Sequence, residues 1–149
     1  MRLPGESVEY LLDHWPVARL ATLRRDGMPH QVPIVFARHA GRLWSPIDGK
    51  PKSERELARV RHLAGDPRAG LLLDDYAEDW TALWWLRLDG RARALRPRGA
   101  ELDAVAAALR AKYPQYARVP LFQDEPTLIE FRIETRRSWC ASGNAAPRP

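Results

Sequence analysis

The 149-residue sequence has one cysteine, Cys140, so it forms no internal disulfide. A chain that needs no disulfide suits the cytoplasm, which is the expected compartment. No apolar run approaches the roughly 18 residues of a membrane helix. The opening residues, Met1-Arg2-Leu3-Pro4-Gly5-Glu6-Ser7, lack the apolar stretch of a signal peptide, and none is expected. There is no G-x-G-x-x-G or Walker phosphate loop and no serine nucleophile elbow. The four histidines, His14, His30, His39 and His62, are too dispersed for a local metal motif, and with a single cysteine no structural zinc site is expected. Lysine is scarce, with 3 residues against 21 arginines. No internal repeat and no second domain are visible.

What is present is an ordinary globular balance, 45% hydrophobic and 29% charged, in a length that fits one domain with a real core. The net charge of +5 suits an anionic partner. The arginines are spread along the chain and not gathered in one run, which argues against nucleic acid. Two of the three lysines, Lys50 and Lys52, fall in one short segment, Asp48-Gly49-Lys50-Pro51-Lys52-Ser53.

Periodicity gives the elements. Val8, Leu11, Leu12 and Trp15 predict an amphipathic helix over 5–14, stopped by Pro16. Strands are expected over 17–24 and 30–37 around an Asp26-Gly27 turn, with Pro29 and Pro33 marking an edge or bulge. Gly41 turns the chain into a strand from Arg42 to Ile47. A capping box, Ser53-Glu54-Arg55-Glu56, opens a helix over 53–64, with Gly65 at its C′ position. The run Ala69 to Asp74 reads as a strand buried on both faces. Asp89-Gly90 predicts a second hairpin, joining strands 81–88 and 91–96. A helix is expected from Ala100 to Tyr113, a loop over 115–126, and a half-buried strand over 127–134. The strands pair as hairpins, which favours an antiparallel barrel decorated by helices over a Rossmann fold.

The strongest candidate for chemistry is Ser45 to Ser53. It leaves a strand, passes two lysines and enters a capped helix start, where free N–H groups and a partial positive charge suit a phosphate. Trp80, Trp84 and Trp85 fall close together, and the adjacent pair must point to opposite faces. One fills the core and the other is a candidate dimer anchor or ring-stacking surface. Asp74, Asp75, Glu78 and Asp79 read as a solvated acidic loop, and Cys140 as an inert small residue.

These features together resemble the pyridoxamine-phosphate-oxidase-like superfamily of flavin and deazaflavin oxidoreductases. The resemblance is carried by Ala18-Arg19-Leu20-Ala21-Thr22-Leu23, Asp26-Gly27-Met28-Pro29-His30, Val32-Pro33-Ile34-Val35-Phe36, Leu43-Trp44-Ser45-Pro46-Ile47, the two lysines and Asp66-Pro67-Arg68-Ala69. It covers 17–96 well and is nearest the actinobacterial branch of F420-dependent enzymes. It implies an α+β fold with a six-stranded antiparallel split β-barrel over 1–143, a disordered tail over 144–149, and a homodimer with cofactor at the interface. It implies that Pro33, Ile34, Ser45, Pro46 and Ile47 border the tricyclic ring. Lys50, Lys52 and Ser53 would then hold the phosphate, and Trp80 or Trp84 of a second chain would cover the ring. The implied activity is hydride transfer from coenzyme F420 to an organic substrate. FMN is the alternative cofactor, and a non-catalytic module for haem or nucleic acid the alternative class. The substrate would be met by loops 75–81 and 114–126. His30 and Asp75 are the candidate proton donors, with no catalytic residue assigned. The sequence departs from the oxidase proper, with Lys-Pro-Lys in place of an adjacent Arg-Lys pair and no matching C-terminal arginine motif. Oxidation of vitamin B6 phosphates is therefore not expected.

Overall fold

The computed structural model describes residues 1–47, 58–122 and 125–145. Among these residues three α-helices, α1 (Gly5–His14), α2 (Ala58–Gly65) and α3 (Gly99–Lys112), flank seven strands. The strands are β1 (Ala18–Leu23), β2 (Pro29–Ile34), β3 (Ala37–His39), β4 (Arg42–Pro46), β5 (Arg68–Asp75), β6 (Trp84–Leu95) and β7 (Leu128–Cys140). They form one antiparallel sheet in the order β2-β1-β5-β6-β7-β4-β3. The resemblance implies six strands and the periodicity seven; seven are present among the described residues, though not the same seven. The two edges, β2 and β3, share no ladder among the described residues.

β3 arises because the expected run 30–37 breaks after Ile34, while the expected strands 81–88 and 91–96 are one strand, β6. Pro33 has no N–H to donate. At the break the Tyr113 hydroxyl accepts from the Phe36 N–H (3.0 Å) and also lies 2.9 Å from the Phe36 and Pro16 carbonyls. The Phe36 N–H is thus satisfied outside any ladder, and the chain restarts as β3.

Two apolar clusters sandwich this sheet. One lies on its inner face, built from Leu20, Leu43, Leu71, Leu88, Ile129 and Phe131, with Leu11 and Leu12 of α1 closing on it. The other lies under α3, where Val105 and Leu109 pack on Ala37, Trp44 and Leu128. Each fully buried leucine contributes about 1.5–3 kcal/mol. This double cover explains why the start of β7, read as half-buried, is buried at all four of Leu128, Ile129, Glu130 and Phe131.

Asp26-Gly27 makes the predicted hairpin turn, with Gly27 at φ +83° and the Arg24 N–H bonded to the Met28 carbonyl at 2.9 Å. Asp89-Gly90 does not. β6 runs unbroken from Trp84 to Leu95, and the register against β7 shifts between Asp89 and Gly90. A Cβ at Gly90 would stand 2.0 Å from the Arg132 carbonyl oxygen, so the glycine serves a bulge where two backbones press together. β5 alternates and is not buried on both faces: Leu71 and Leu73 are inside, Leu72 is half-buried and Asp75 is exposed. β7 runs on to Cys140, six residues beyond the expected end at Glu134, because β6 pairs with it as far as Trp84↔Cys140. Gly65 is the last helical residue of α2 and lacks the positive φ of a C′ glycine. The expected capping box, Ser53 to Glu56, lies outside the described residues. Ala145 packs against the inner cluster, and 146–149 lie outside the described residues.

Candidate functional site

β4 carries Ser45 and Pro46 against β7, through Ser45↔Ile129 and Pro46↔Leu128. Both residues are buried. Ser45 shares the lining of a small cavity, about 10 Å³, with Ile34, Phe36, Trp44 and Phe131. The structure therefore brings Ile34 and Ser45 together from separate strands. Pro33 is exposed, on the opposite face of β2 from Ile34. Ile47 is half-buried, and its N–H donates to the Thr127 carbonyl at 3.0 Å, which steers the chain out of β4. Lys50, Lys52 and Ser53 follow and lie outside the described residues.

The two candidate tryptophans separate. Trp84 has no exposed surface and meets Trp15 edge-on with ring centroids 4.7 Å apart, so it is a core residue and covers nothing outside the fold. Its indole Nε1 is buried without a partner among the described residues. Trp85, on the other face, is half-buried. Trp80 is 77% exposed. It opens a short 3₁₀ turn, Trp80–Ala82, held by the Asp79 carboxylate, which accepts from the Thr81 N–H (2.9 Å) and hydroxyl (2.7 Å). Those bonds hold the Asp79 carboxyl below its ordinary value. Trp80 precedes the first residue of β6, whereas Pro46 lies level with the last, through Leu128↔Leu95. Within one chain Trp80 and Pro46 thus belong to opposite ends of a 12-residue strand, on the order of 30 Å along it.

The proposed proton donors also part company. Asp75 is exposed at the end of β5. His30 sits four residues before Ile34 on β2, roughly 13 Å away at the usual strand rise. Its ring meets that of His62 edge-on at 4.9 Å. His62 Nδ1 lies 3.1 Å from Thr22 Oγ1. Burial chiefly, then the neighbouring His30, Arg61 and Arg24, lowers the His62 pKa. In sequence His62 is only one of four dispersed histidines, because the pair with His30 forms only when α2 packs across the β1–β2 hairpin. Lys112 was missed as well: its ammonium lies 3.6 Å above the Phe36 ring with no hydrogen-bond partner among the described residues. Burial pushes Lys112 down to about 7.

Comparison with known families and structures places the chain. A family profile described as pyridoxamine 5'-phosphate oxidase matches residues 5–140, and the chain belongs to that family. A comparison with curated proteins finds no match. Among solved structures, the haem storage protein HutZ from Vibrio cholerae is similar at 17% identity and TM-score 0.71, over 94% of this chain and 95% of that one. An F420 reductase is similar at 19% identity and TM-score 0.63, over 89% and 96% of the two chains. Atu2129 from Agrobacterium tumefaciens, of unknown function, is similar at 24% identity and TM-score 0.63. That match covers 97% of this chain, which spans only 59% of the other's length. At these identities the similarity concerns the fold. No helix among the described residues is long and apolar enough to cross a membrane.

Proposed function

We propose that this chain, as one domain over 1–143, is an oxidoreductase that uses coenzyme F420 for hydride transfer to an organic substrate and works as a homodimer. The observation that carries the reading is the run of β4 from an apolar wall with one hydroxyl, Ser45 beside Ile34, directly into the segment bearing Lys50, Lys52 and Ser53. Such a wall suits a tricyclic ring, and the lysines suit its phosphate-bearing chain. The similarity to an F420 reductase supports the same reading.

The apolar residues around Ser45 are compatible in chemistry with such a cofactor, and in this reading they would back one wall of its site. A cavity of about 10 Å³ walled by buried residues admits no tricycle, so the ring would lie outside it, past the end of β4 where Ile47 is half-buried. Trp80, at the far end of β6 and exposed, supports a second copy as the source of the covering aromatic. Hydride transfer is the chemistry the cofactor supplies when bound; the chain's part is to bind it, orient it and exclude water. FMN carries a similar phosphate-bearing chain and is the alternative for the same residues. The deazaflavin's longer anionic tail gives the +5 charge a further use and favours F420.

The test is a parallel titration of the purified protein with F420, FMN and haem, followed by cofactor fluorescence and by the Soret band. Tight F420 binding, weakened at least tenfold by Lys50→Ala/Lys52→Ala and by Trp80→Ala, is expected. Preference for FMN would replace the cofactor and keep the site. A Soret band without binding of either flavin type would overturn the redox reading.

A further inference from the structure

The end of the β1–β2 hairpin remote from Ile34 carries a second feature. The ladder runs from Ala18↔Ile34 to Leu23↔Pro29, and its two ends stand roughly 17 Å apart at the usual strand rise. At the Leu23 end, the hairpin turn and the C-terminal half of α2 enclose a pocket of about 780 Å³, a size that suits a small organic ligand. Arg24, Arg25 and Asp26 line one side; Arg61, His62 and Asp66 line the other.

The charges do not balance. Asp26 is paired with Arg24 at 2.7 Å, and Asp66 with Arg68 at 2.7 Å. The Arg68 contacts pull the Asp66 carboxyl down to about 2, so it stays ionised and committed to that partner. Arg25 and Arg61 have no carboxylate partner among the described residues, and both are exposed. Beside them lie His62, bonded to Thr22 Oγ1, and His30, whose Nδ1 is buried without a partner among the described residues. One physical effect runs the other way: Gly65 at the C-terminal end of α2 also lines the pocket, and a helix C-terminus repels an anion. That effect is worth about two- to fivefold in affinity. An ion pair from an exposed arginine is worth up to about fivefold, and a di- or polyanion can engage both Arg25 and Arg61 at once, which outweighs the single opposing helix end.

We propose that this pocket is an anion-binding site separate from the β4 region, taking a small di- or polyanion with phosphate or carboxylate groups between Arg25 and Arg61, beside the His30–His62 pair. It shares no residue with the cofactor site, so either can fail without the other.

The experiment titrates the full chain with pyrophosphate and, separately, with citrate, by calorimetry and by NMR of the histidine imidazoles. It uses wild type, Arg25→Gln/Arg61→Gln, Lys50→Ala/Lys52→Ala, and Arg98→Gln as a control on an exposed arginine elsewhere. Saturable binding that shifts the His62 and His30 signals is expected, with at least tenfold loss in Arg25→Gln/Arg61→Gln alone. Saturation by pyrophosphate only identifies a phosphate ligand, and by citrate only a polycarboxylate; both support the site. No saturable binding of either anion overturns it. So does binding that survives Arg25→Gln/Arg61→Gln, or that Arg98→Gln or Lys50→Ala/Lys52→Ala weakens equally.

Discussion

The Tyr113 hydroxyl accepts a 3.0 Å hydrogen bond from the backbone N–H of Phe36, 77 residues away, where the chain passes from one sheet edge to the other. The same hydroxyl has the Pro16 and Phe36 carbonyls at 2.9 Å and can donate its proton to one of them. Tyr113→Phe keeps the ring in its pocket under α3 and leaves a buried N–H unpaired. It should destabilise the fold by about 1–3 kcal/mol, read from urea unfolding. Burial pushes the Tyr113 hydroxyl up to about 12, against the weaker pull of the Phe36 backbone bond. Its contribution is therefore complete below pH 10 and is lost as the pH rises through 12.

Gly90 answers to a different constraint. Its Cβ position is already taken by the Arg132 carbonyl, and backbone cannot step aside as a side chain can. Gly90→Ala should cost on the order of 3 kcal/mol, at the upper end of overpacking effects. Gly65→Ala is the contrast, since nothing stands within 4 Å of its Cβ position and its φ is not positive. That change, at the end of α2, should be neutral or stabilise by up to about 1 kcal/mol. Thermal melts of the two variants side by side test the distinction, and equal effects would contradict it.

Much of the fold was readable in the sequence because local chemistry and tertiary structure agree. The α1 stripe, the Asp26-Gly27 turn and the α3 stripe each state their outcome in a few residues. The failures have a common origin in the partner strand. Asp89-Gly90 has the composition of a turn, but whether a glycine turns or bulges depends on what lies across from it, and that is Arg132, over 40 residues on. The second half of β7, Thr135 to Ser138, has no apolar alternation to announce it; it is a strand because β6 offers a continuous ladder. The break at Val35–Phe36 depends on Tyr113, which sequence shows only as the end of a helix stripe.

The candidate site was legible to the extent that it is linear. Ile34 and Ser45 do line one small cavity, although β2 and β4 are not neighbours in the sheet, and nothing linear in the sequence states that meeting. Which of Trp84 and Trp85 faces inward was not legible, because strand parity says that two neighbours face apart without saying which is inside, and Trp80 stands in a 3₁₀ turn that parity does not govern. The His30–His62 pair and Arg25–Arg61 were invisible for a related reason: each joins the hairpin to α2 across more than 30 residues.

The tryptophans should part in experiment as they do in space. Trp84 is fully buried against Trp15, and Trp84→Ala should cost about 3–5 kcal/mol. Trp80→Ala removes an exposed ring and should leave unfolding within about 0.5 kcal/mol of wild type, while weakening cofactor binding. If Trp80→Ala destabilised the fold as much as Trp84→Ala, a structural role would replace its proposed place over the ring.

Lys112 gives the fold a pH dependence of its own. Burial is the main reason its pKa falls from 10.5 to about 7; Arg38 lowers it further and Asp13 opposes. The Phe36 ring beneath the ammonium favours the charged form and offsets part of the burial cost. The sign follows from counting protons. Between pH 7 and 10.5 the unfolded chain holds a proton on Lys112 that the folded chain has released, so folding stability rises with pH across that window. Below the folded value both states are protonated, and the penalty of burying the ammonium is present in full. The slope from this one group is at most about 1.4 kcal/mol per pH unit. Lys112→Met keeps the length of the side chain and removes the charge. It should stabilise the protein most at pH 6, progressively less toward pH 9, and flatten the rise that wild type shows between them. Urea midpoints of both proteins across that range decide the matter: parallel curves would mean that Lys112 titrates alike in the folded and unfolded chains.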